Sequence, residues 1–255
     1  MPLEGALVPD WDVDASVGAL MSTRAGGVSA APFDALNLGR AVGDEPAAVT
    51  ENRRRFAAAL GGAEPRWLSQ VHGVRVLRLE HGRPQAPTDA DAAITTVPGL
   101  ACTVMVADCL PVLLAAPGGR GVGAAHAGWR GLASGVLDAA VATLAAAADC
   151  APREIAAWMG PCIGPRAFEV GADVLAAFGA TPAAPGVRFV PRPRPDGAPR
   201  WLADLAGLAR DRLQALGLTQ VGGVSACTVE GRSRFFSFRR DGVTGRMAAA
   251  VWLAR

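Results

Sequence analysis

Three apolar segments follow one another closely in the middle of the chain. Leu100 to Ala107 is a continuous apolar run, and Pro111 to Ala116 is another. A third short segment, from Gly121 to Ala125, comes directly before His126. Short apolar runs bounded by turn residues are typical of buried strands. The pattern therefore predicts three neighbouring buried strands, with Cys109 in the break between the first two and His126 at the end of the third.

Helical and strand patterns alternate irregularly over the rest of the chain. Helices are predicted over 46–60, 132–148 and 202–216, and further strands over 234–238 and 247–253. The pattern lacks the strict β-α-β alternation of a Rossmann sheet and contains no domain linker. We therefore predict one α+β domain spanning residues 1–255. The proline-rich stretch 181–199 is predicted to be a surface loop.

The composition excludes several functional classes. The net charge is +2, too small to indicate a nucleic-acid or membrane partner. All 25 basic residues are arginine, so a lysine Schiff base and a Walker A phosphate loop are ruled out. The five cysteines are irregularly spaced, which favours free thiols in a reducing compartment. With no apolar signal core in residues 1–14, a cytoplasmic protein is expected.

Two histidines and one cysteine form a candidate metal site. His72 and His126 lie at glycine-marked breaks beside apolar runs, and Cys109 lies at a similar break. Two imidazoles and a thiolate suit Zn²⁺, whose fourth position then stays open for chemistry. Each residue also has an ordinary alternative: a buried thiol, a core histidine or a solvent-facing turn residue. The remaining histidine, His81, lies in a polar loop and is assigned to the surface.

Two residues beside these ligands also invite a functional interpretation. Asp108 interrupts a buried run, where a carboxylate is costly unless it has a partner. Arg130 follows His126 at a predicted strand-to-helix turn, where backbone N–H groups attract anions. We therefore regard Asp108 either as a catalytic acid–base group or as a partner that orients a histidine ligand, and Arg130 as a candidate phosphate ligand.

Several motifs, in a fixed order from about residue 16 onward, resemble those of the YfiH-like, or laccase-domain, family. They are Thr23-Arg24, Asn37-Leu38-Gly39, Ser69-Gln70-Val71-His72-Gly73, Ala107-Asp108-Cys109-Leu110-Pro111, Ala125-His126-Ala127-Gly128-Trp129-Arg130, Gly160-Pro161-Cys162-Ile163-Gly164, Phe235-Phe236-Ser237-Phe238-Arg239-Arg240 and Thr244-Gly245-Arg246. The family often has a tyrosine where this chain has Phe238. Both rings can pack alike, so the departure is mild.

The resemblance implies a zinc-dependent purine nucleoside phosphorylase that also deaminates adenosine. Its substrates would be phosphate and the purine nucleosides adenosine, inosine, guanosine and methylthioadenosine. The metal ligands would be His72, Cys109 and His126. The implied fold is an α/β sandwich with mixed sheets flanked by helices, similar to the catalytic domain of cytotoxic necrotizing factors. A monomer or a weak homodimer is expected.

The remaining motif residues receive less specific assignments. Arg24, Asn37 and Gln70 are expected to bind substrate or phosphate together with Arg130. Cys162 either borders the pocket or is a buried structural thiol. The sequence leaves open which group protonates the departing base.

Three other functions stay open at this point. A copper polyphenol oxidase would need more imidazoles than three histidines supply, although copper could bind the same three ligands. A cysteine hydrolase or deamidase would use Cys109 as nucleophile and His126 as base. Editing of peptidoglycan precursors would use the same pocket as nucleoside chemistry, so the sequence cannot separate the two.

Overall fold

Two β-sheets face one another in this chain, and helices cover the outer side of each. The computed structural model describes residues 3–82 and 88–255. The strands are β1 (Val17–Met21), β2 (Glu64–Trp67), β3 (Val76–Arg78), β4 (Ala92–Thr95), β5 (Leu100–Val106), β6 (Leu110–Ala115), β7 (Val122–Ala127), β8 (Ala156–Met159), β9 (Glu169–Val170), β10 (Phe189–Pro191), β11 (Trp201–Ala203), β12 (Gln220–Gly223) and β13 (Met247–Leu253). The helices are α1 (Pro46–Ala58), α2 (Trp129–Ser134), α3 (Val136–Ala148), α4 (Ala172–Ala177), α5 (Leu205–Ala215) and α6 (Phe238–Asp241).

Both large sheets mix parallel and antiparallel pairs. One has the order β1-β13-β5-β2, in which only β2 and β5 are parallel. The other has the order β12-β8-β6-β7-β4-β3, and its parallel pairs, β12 with β8 and β3 with β4, lie at the two edges. A small antiparallel sheet has the order β10-β11-β9. The strand that leads into Cys109 is therefore central in one sheet, and the strand that follows it is central in the other.

The main core lies between the two large sheets. Strand side chains alternate between faces, so one set from each sheet points into this interior layer. Val104 of β5 and Val251 of β13 meet Leu113 of β6 and Trp158 of β8 there, and all four are buried. This apolar layer joins the two sheets into a sandwich.

The outer faces are covered by helices. Val112 and Leu114 of β6 point away from the interior layer and pack with Leu144 of α3 and Leu213 of α5. On the opposite side Phe56 of α1 packs on the outer face of the four-stranded sheet. The layers thus follow one another as helix, sheet, sheet and helix, in agreement with a mixed α/β fold. Within the described part of the chain, no helix is both long and apolar enough to span a bilayer.

Several sequence predictions of elements are confirmed and others are wrong. The buried strands over 100–107 and 111–116 are β5 and β6, and the helix over 46–60 is α1. The helix expected over 132–148 is divided at Gly135, whose φ of 99° interrupts helical geometry. No strand covers 234–238; instead the Ser237 hydroxyl accepts a hydrogen bond from the Arg240 N–H and caps α6. The proline-rich stretch 181–199 is not all loop, because it contains β10.

Candidate metal centre

The β6–β7 pair brings Cys109 and His126 to the same end of one sheet. In this antiparallel pair Pro111 lies opposite His126 and Leu110 opposite Ala127. Cys109 directly precedes β6, so it lies next to the end of β7. His126 is buried and belongs to the strand itself, which ends at Ala127, two residues beyond the predicted end of the apolar segment. Strand pairing thereby places a thiol and an imidazole side by side although they are far apart in sequence.

A buried carboxylate holds the loop that carries His72. Asp91 is fully buried just before β4, and its two oxygens accept hydrogen bonds from three successive backbone N–H groups. The N–H groups of Val71, His72 and Gly73 donate at 3.1, 3.0 and 2.7 Å. His72 has a φ of 60°, a left-handed conformation that is uncommon for a residue with a side chain. The Asp91 carboxylate therefore fixes the unusual turn that presents the first imidazole.

The same carboxylate also orients the second imidazole. His126 Nδ1 lies 2.8 Å from Asp91 Oδ1, and the His126 N–H donates to the Asp91 carbonyl at 2.7 Å. A carboxylate at Nδ1 holds the proton there and leaves Nε2 free as a ligand atom. Burial acts to raise the pKa of Asp91, but the hydrogen bonds from His126, Gly73 and Val71 outweigh it and lower that pKa. Asp91 is therefore a carboxylate shared by two of the three candidate ligands.

The three candidate donor atoms fit one metal ion. They all lie within 4.8 Å of one another, and His72 Nε2 is 3.8 Å from Cys109 Sγ. The two imidazole centroids are 4.9 Å apart with nearly perpendicular rings. A tetrahedral zinc site with N and S ligands has donor atoms about 3.3–3.6 Å apart, so only a small closure is needed. The predicted set of His72, Cys109 and His126 is thus brought together in a geometry that can hold a metal.

The turn between β7 and α2 approaches His72 and Cys109 closely, and this approach depends on a glycine. A Cβ built on Gly128 would lie 2.8 Å from His72 Cδ2 and 2.9 Å from Cys109 Sγ. Real side chains do not tolerate such contacts, so any larger residue would displace two candidate ligands. Gly128 therefore allows the start of α2 to pack directly on the site.

In the absence of metal, the site favours a thiolate and an imidazolium. Burial acts to raise the pKa of Cys109, but His126 and His72 overcome it and lower that pKa to about 6. Burial likewise acts to lower the pKa of His126, whereas Cys109 and Asp91 raise it to about 9. The two shifts share one cause, because each charged group stabilises the other at short range. Around neutral pH the thiol is therefore already in the form that binds a metal, and His126 carries a proton that a metal must displace.

A cavity of about 670 Å³ opens above the three ligands. Trp129, Phe168 and Phe238 supply aromatic surface to its wall. Four arginines also line it: Arg40, Arg130, Arg239 and Arg246. Its size lies within the range of small-molecule sites, about 300–1,000 Å³. A planar aromatic molecule together with an anion would suit this lining.

Three of the other candidate site residues line the cavity, but two of them have structural partners. Gln70 bonds the backbone of Met105 with both ends of its amide, at 2.8 Å each. Asp108 accepts 2.6 Å hydrogen bonds from the Thr228 hydroxyl and the Arg239 N–H. The carboxylate that orients a histidine ligand is therefore Asp91 and not Asp108, contrary to one of the two roles expected for it. Arg130 is exposed and stacks on Trp129 at 4.3 Å.

The remaining three candidates lie outside the cavity wall. Arg24 pairs with Asp34 at 3.0 Å and borders a different depression. The buried Asn37 bonds the backbone of Gly39 and Arg246. Cys162 is buried, and its neighbour Ile163 lines the cavity in its place. Burial strongly raises the pKa of the Cys162 thiol, which suits the structural alternative.

Four residues of this site received no functional assignment from the sequence: Asp91, Arg40, Arg239 and Arg246. Asp91 precedes the apolar run of β4 much as Asp108 precedes β6, so a buried acid beside an apolar run was the available signal. Arg239 lies in the charged run Arg239-Arg240-Asp241, a pattern typical of a surface turn, yet its N–H bonds Asp108 and its side chain lines the cavity. Arg246 belongs to the Thr244-Gly245-Arg246 motif, but the motif alone gives it no role, because only the fold brings this part of the chain to the cavity.

Comparison with known proteins places these features in a family. Residues 18–254 match the family described as multi-copper polyphenol oxidoreductase laccase. The chain is 51% identical to the purine nucleoside phosphorylase PA4543 of Pseudomonas aeruginosa, over 97% of this chain and 98% of that protein. It is 48% identical to the purine nucleoside phosphorylase YfiH of Escherichia coli, with the same coverage.

Solved structures share the fold over nearly the whole chain. The Neisseria meningitidis protein NMB0706 superimposes with a TM-score of 0.88 at 42% identity, covering 99% of this chain and all of that one. YlmD from Geobacillus stearothermophilus gives a TM-score of 0.84 at 32% identity, with 94% and 93% covered. The sandwich and the strand ends that carry the candidate ligands therefore belong to an architecture also found in crystal structures.

Replacing Asp91 with asparagine should weaken metal binding. The asparagine NH₂ group is a donor and would face N–H donors that now bond a carboxylate oxygen. The His72 loop and the His126 ring would therefore both lose hydrogen bonds that hold them in place. We expect zinc affinity to fall about 10–100-fold. Competition with a chromogenic chelator measures this, with Asp89→Asn as the matched control, since the exposed Asp89 bonds Ser69 instead. Equal affinities of the two variants would contradict the role of Asp91.

Zinc binding should release a proton near neutral pH. Because the raised pKa of His126 is about 9, the metal-free protein carries that proton at pH 7.5, and zinc must displace it. Affinity should rise about tenfold per pH unit between pH 7 and 9 and level off above. Calorimetry in buffers of different ionisation enthalpy counts the proton. Proton release on zinc binding that is as large at pH 10 as at pH 7.5 would contradict the assignment of this proton to His126.

Proposed function

Because the chain belongs to the multi-copper polyphenol oxidoreductase laccase family, within which its near relatives are named purine nucleoside phosphorylases, we propose that it is a zinc-dependent purine nucleoside phosphorylase. The observation that carries the proposal is the His72-Cys109-His126 group at the floor of an arginine-lined cavity. Phosphorolysis needs a purine nucleoside and phosphate in one place, and this cavity offers aromatic surface for the first and cations for the second.

The proposed substrates are adenosine, inosine, guanosine and methylthioadenosine, with phosphate as the second substrate. The flat surfaces of Trp129, Phe168 and Phe238 suit a purine ring, because aromatic faces stack with offset geometry. Deamination of adenosine to inosine is the second proposed activity. It would use the same metal and the same base-binding surface, so it needs no separate site.

Zinc is the proposed metal because its preferred ligands match those present. With His72, Cys109 and His126 as its three protein ligands, a zinc ion would keep one coordination position open for chemistry, as in catalytic rather than structural zinc sites. When bound there, Zn²⁺ supplies a Lewis acid beside the reacting groups. Copper binds the same donor types and is the alternative occupant.

The protein side chains would bind and orient the reactants. Asp91 keeps the proton of His126 on Nδ1, so Nε2 stays available to the metal. Arg130 and the other cavity arginines would hold phosphate, which a planar guanidinium binds with two parallel hydrogen bonds. Asp108 stays the proposed acid–base group. Its two oxygens accept hydrogen bonds from Thr228 and Arg239, which hold the carboxylate in a fixed position at the cavity wall.

A cysteine hydrolase or deamidase is the second candidate, and one observation favours it. In the metal-free geometry Cys109, His126 and Asp91 are arranged as nucleophile, base and orienting carboxylate, and the pKa of Cys109 is lowered to about 6. A metal-bound thiolate cannot act as a nucleophile, so metal content separates the two functions.

Oxidation of phenols and editing of peptidoglycan precursors receive less support. His81 is exposed and is not part of the candidate metal group, which within the described residues contains two imidazoles only. A multi-copper site needs more. The editing role would share the same cavity, so a panel of nucleosides and muropeptide precursors is the assay that separates those substrates.

Loss of the metal should abolish phosphorolysis. Purified protein should carry about one zinc per chain, and adenosine with phosphate should give adenine and ribose 1-phosphate. His72→Ala, Cys109→Ala and His126→Ala should each lose zinc, because two protein ligands rarely hold it. Elemental analysis and product chromatography measure both effects. His81→Ala is the control and should keep metal and activity, and full activity in any zinc-free ligand variant would refute the proposal.

Zinc should protect Cys109 from alkylation. The metal-free protein should react rapidly with iodoacetamide at pH 7.5, because the lowered pKa makes Cys109 a thiolate. The zinc-loaded protein should react slowly at this position, since the sulfur lone pairs are engaged by the metal. Peptide mass spectrometry locates the label, and the buried Cys102 serves as an unreactive reference. Hydrolase activity that increases on removal of zinc would favour the cysteine-nucleophile function instead.

A further inference from the structure

The arginines of the cavity differ from many others in the chain. Within residues 3–82 and 88–255, none of the four forms an ion pair with a carboxylate, whereas Arg166, Arg188 and Arg212 each do. Asp108 is the one carboxylate in the described cavity wall, and its oxygens already accept two hydrogen bonds. The cavity therefore carries an excess of positive charge that the protein itself does not neutralise.

Arg246 is the least solvated of these cations. It is half-buried, and one terminal nitrogen donates to the carbonyls of Thr244 and Gly245 at 3.0 and 3.1 Å. Its Nε and other terminal nitrogen meet no acceptor in the described chain, yet the side chain lines the cavity. A partly desolvated charge without an anionic partner is unfavourable. An anion in the cavity would supply the missing partner.

Arg246 also lies within electrostatic range of the candidate metal centre. Burial lowers its pKa, while the negative charges of Cys109 and Asp108 act in the opposite direction. Its guanidinium lies 5.8 Å from the ring centre of Phe238. One side chain thus stands near the candidate ligands and near an aromatic face that suits a base.

The buried side-chain amide of Asn37 fixes the segment that carries Arg246. The Arg246 N–H and the Gly39 N–H both donate to Asn37 Oδ1 at 2.9 Å. A Cβ on Gly39 would lie 2.8 Å from the Arg246 side chain, so the two segments are in close contact. Because Arg40 follows Gly39, Asn37 holds the backbones of two cavity arginines in fixed register. The residue expected to bind substrate is thus placed to position the groups that would do so.

We propose that Arg246, in a segment positioned by Asn37, is the principal phosphate-binding residue of the cavity and that the exposed Arg130 and Arg40 contribute less. The assignment to phosphate rests on the proposed phosphorylase function. Arg130 is exposed and stacks on Trp129, so solvent screens its charge. Arg246 is partly shielded from water, where a guanidinium–phosphate pair is stronger.

Direct phosphate binding tests the assignment independently of catalysis. Inorganic phosphate is titrated calorimetrically into zinc-loaded wild-type protein and into Arg246→Gln, Arg130→Gln and the remote control Arg120→Gln, whose guanidinium bonds the Asp149 carbonyl. Glutamine can still donate to the Thr244 carbonyl, which preserves the local turn. We expect phosphate affinity to fall about tenfold or more in Arg246→Gln, about threefold or less in Arg130→Gln, and not at all in Arg120→Gln.

Steady-state kinetics gives the second measurement. In Arg246→Gln the KM for phosphate should rise in parallel with the loss of binding, while zinc content and the KM for adenosine stay within about twofold. Unchanged phosphate binding in Arg246→Gln, or a larger loss in Arg130→Gln, would overturn the assignment. If Arg246→Gln does not fold, Arg246→Lys replaces it. Lysine keeps the charge without the planar fork, and wild-type phosphate affinity in that variant would count against the assignment.

The outcomes also separate this inference from the proposed function. If wild-type protein binds phosphate through Arg246 but produces no ribose 1-phosphate, the anion site stands and the phosphorylase function fails. If phosphorolysis proceeds normally in Arg246→Gln, the function stands and the anion site fails.

Discussion

The buried carboxylate of Asp91 connects the two histidines of the candidate metal centre. Four hydrogen bonds, three from the backbone of the His72 loop and one from the His126 ring, meet on its two oxygens. A buried carboxylate is stable only when its lone pairs are occupied, so the loop and the strand cannot move independently of it. Preorganisation of this kind means that binding a metal requires little rearrangement of these two ligands.

The sandwich explains why Cys109 completes the same site. The chain leaves the four-stranded sheet at the end of β5 and enters the six-stranded sheet at β6, and Cys109 lies in the short crossing between them. Asp108 fixes this crossing, since its side chain bonds Thr228 and the start of α6 and its carbonyl accepts from the Ile163 N–H. Its φ of 100° shows that the backbone adopts a costly conformation there. Packing of the two sheets therefore presents the thiol toward the cavity.

The sequence predicts the buried strands and the three candidate metal ligands that the fold brings together, because both leave local signals. Apolar runs mark β5 and β6, and the scarcity of histidine makes His72 and His126 conspicuous. Contacts that depend on long-range packing are not predictable in this way. Arg246 reaches the cavity only because β13 pairs beside β5, and Asn37 binds its backbone across more than two hundred residues. The break at Gly135 between α2 and α3 is likewise not predicted, because the alanine-rich composition of this segment favours one continuous helix.

The most direct test of the account is the coordination of zinc in the purified protein. X-ray absorption at the zinc edge reports the identity and distance of the ligand atoms without any assay of activity. We predict one sulfur at about 2.3 Å and two imidazole nitrogens at about 2.0 Å from the zinc, with a light atom as the fourth ligand. A zinc shell without sulfur, or with a single imidazole, would contradict the assignment of His72, Cys109 and His126 as the metal centre.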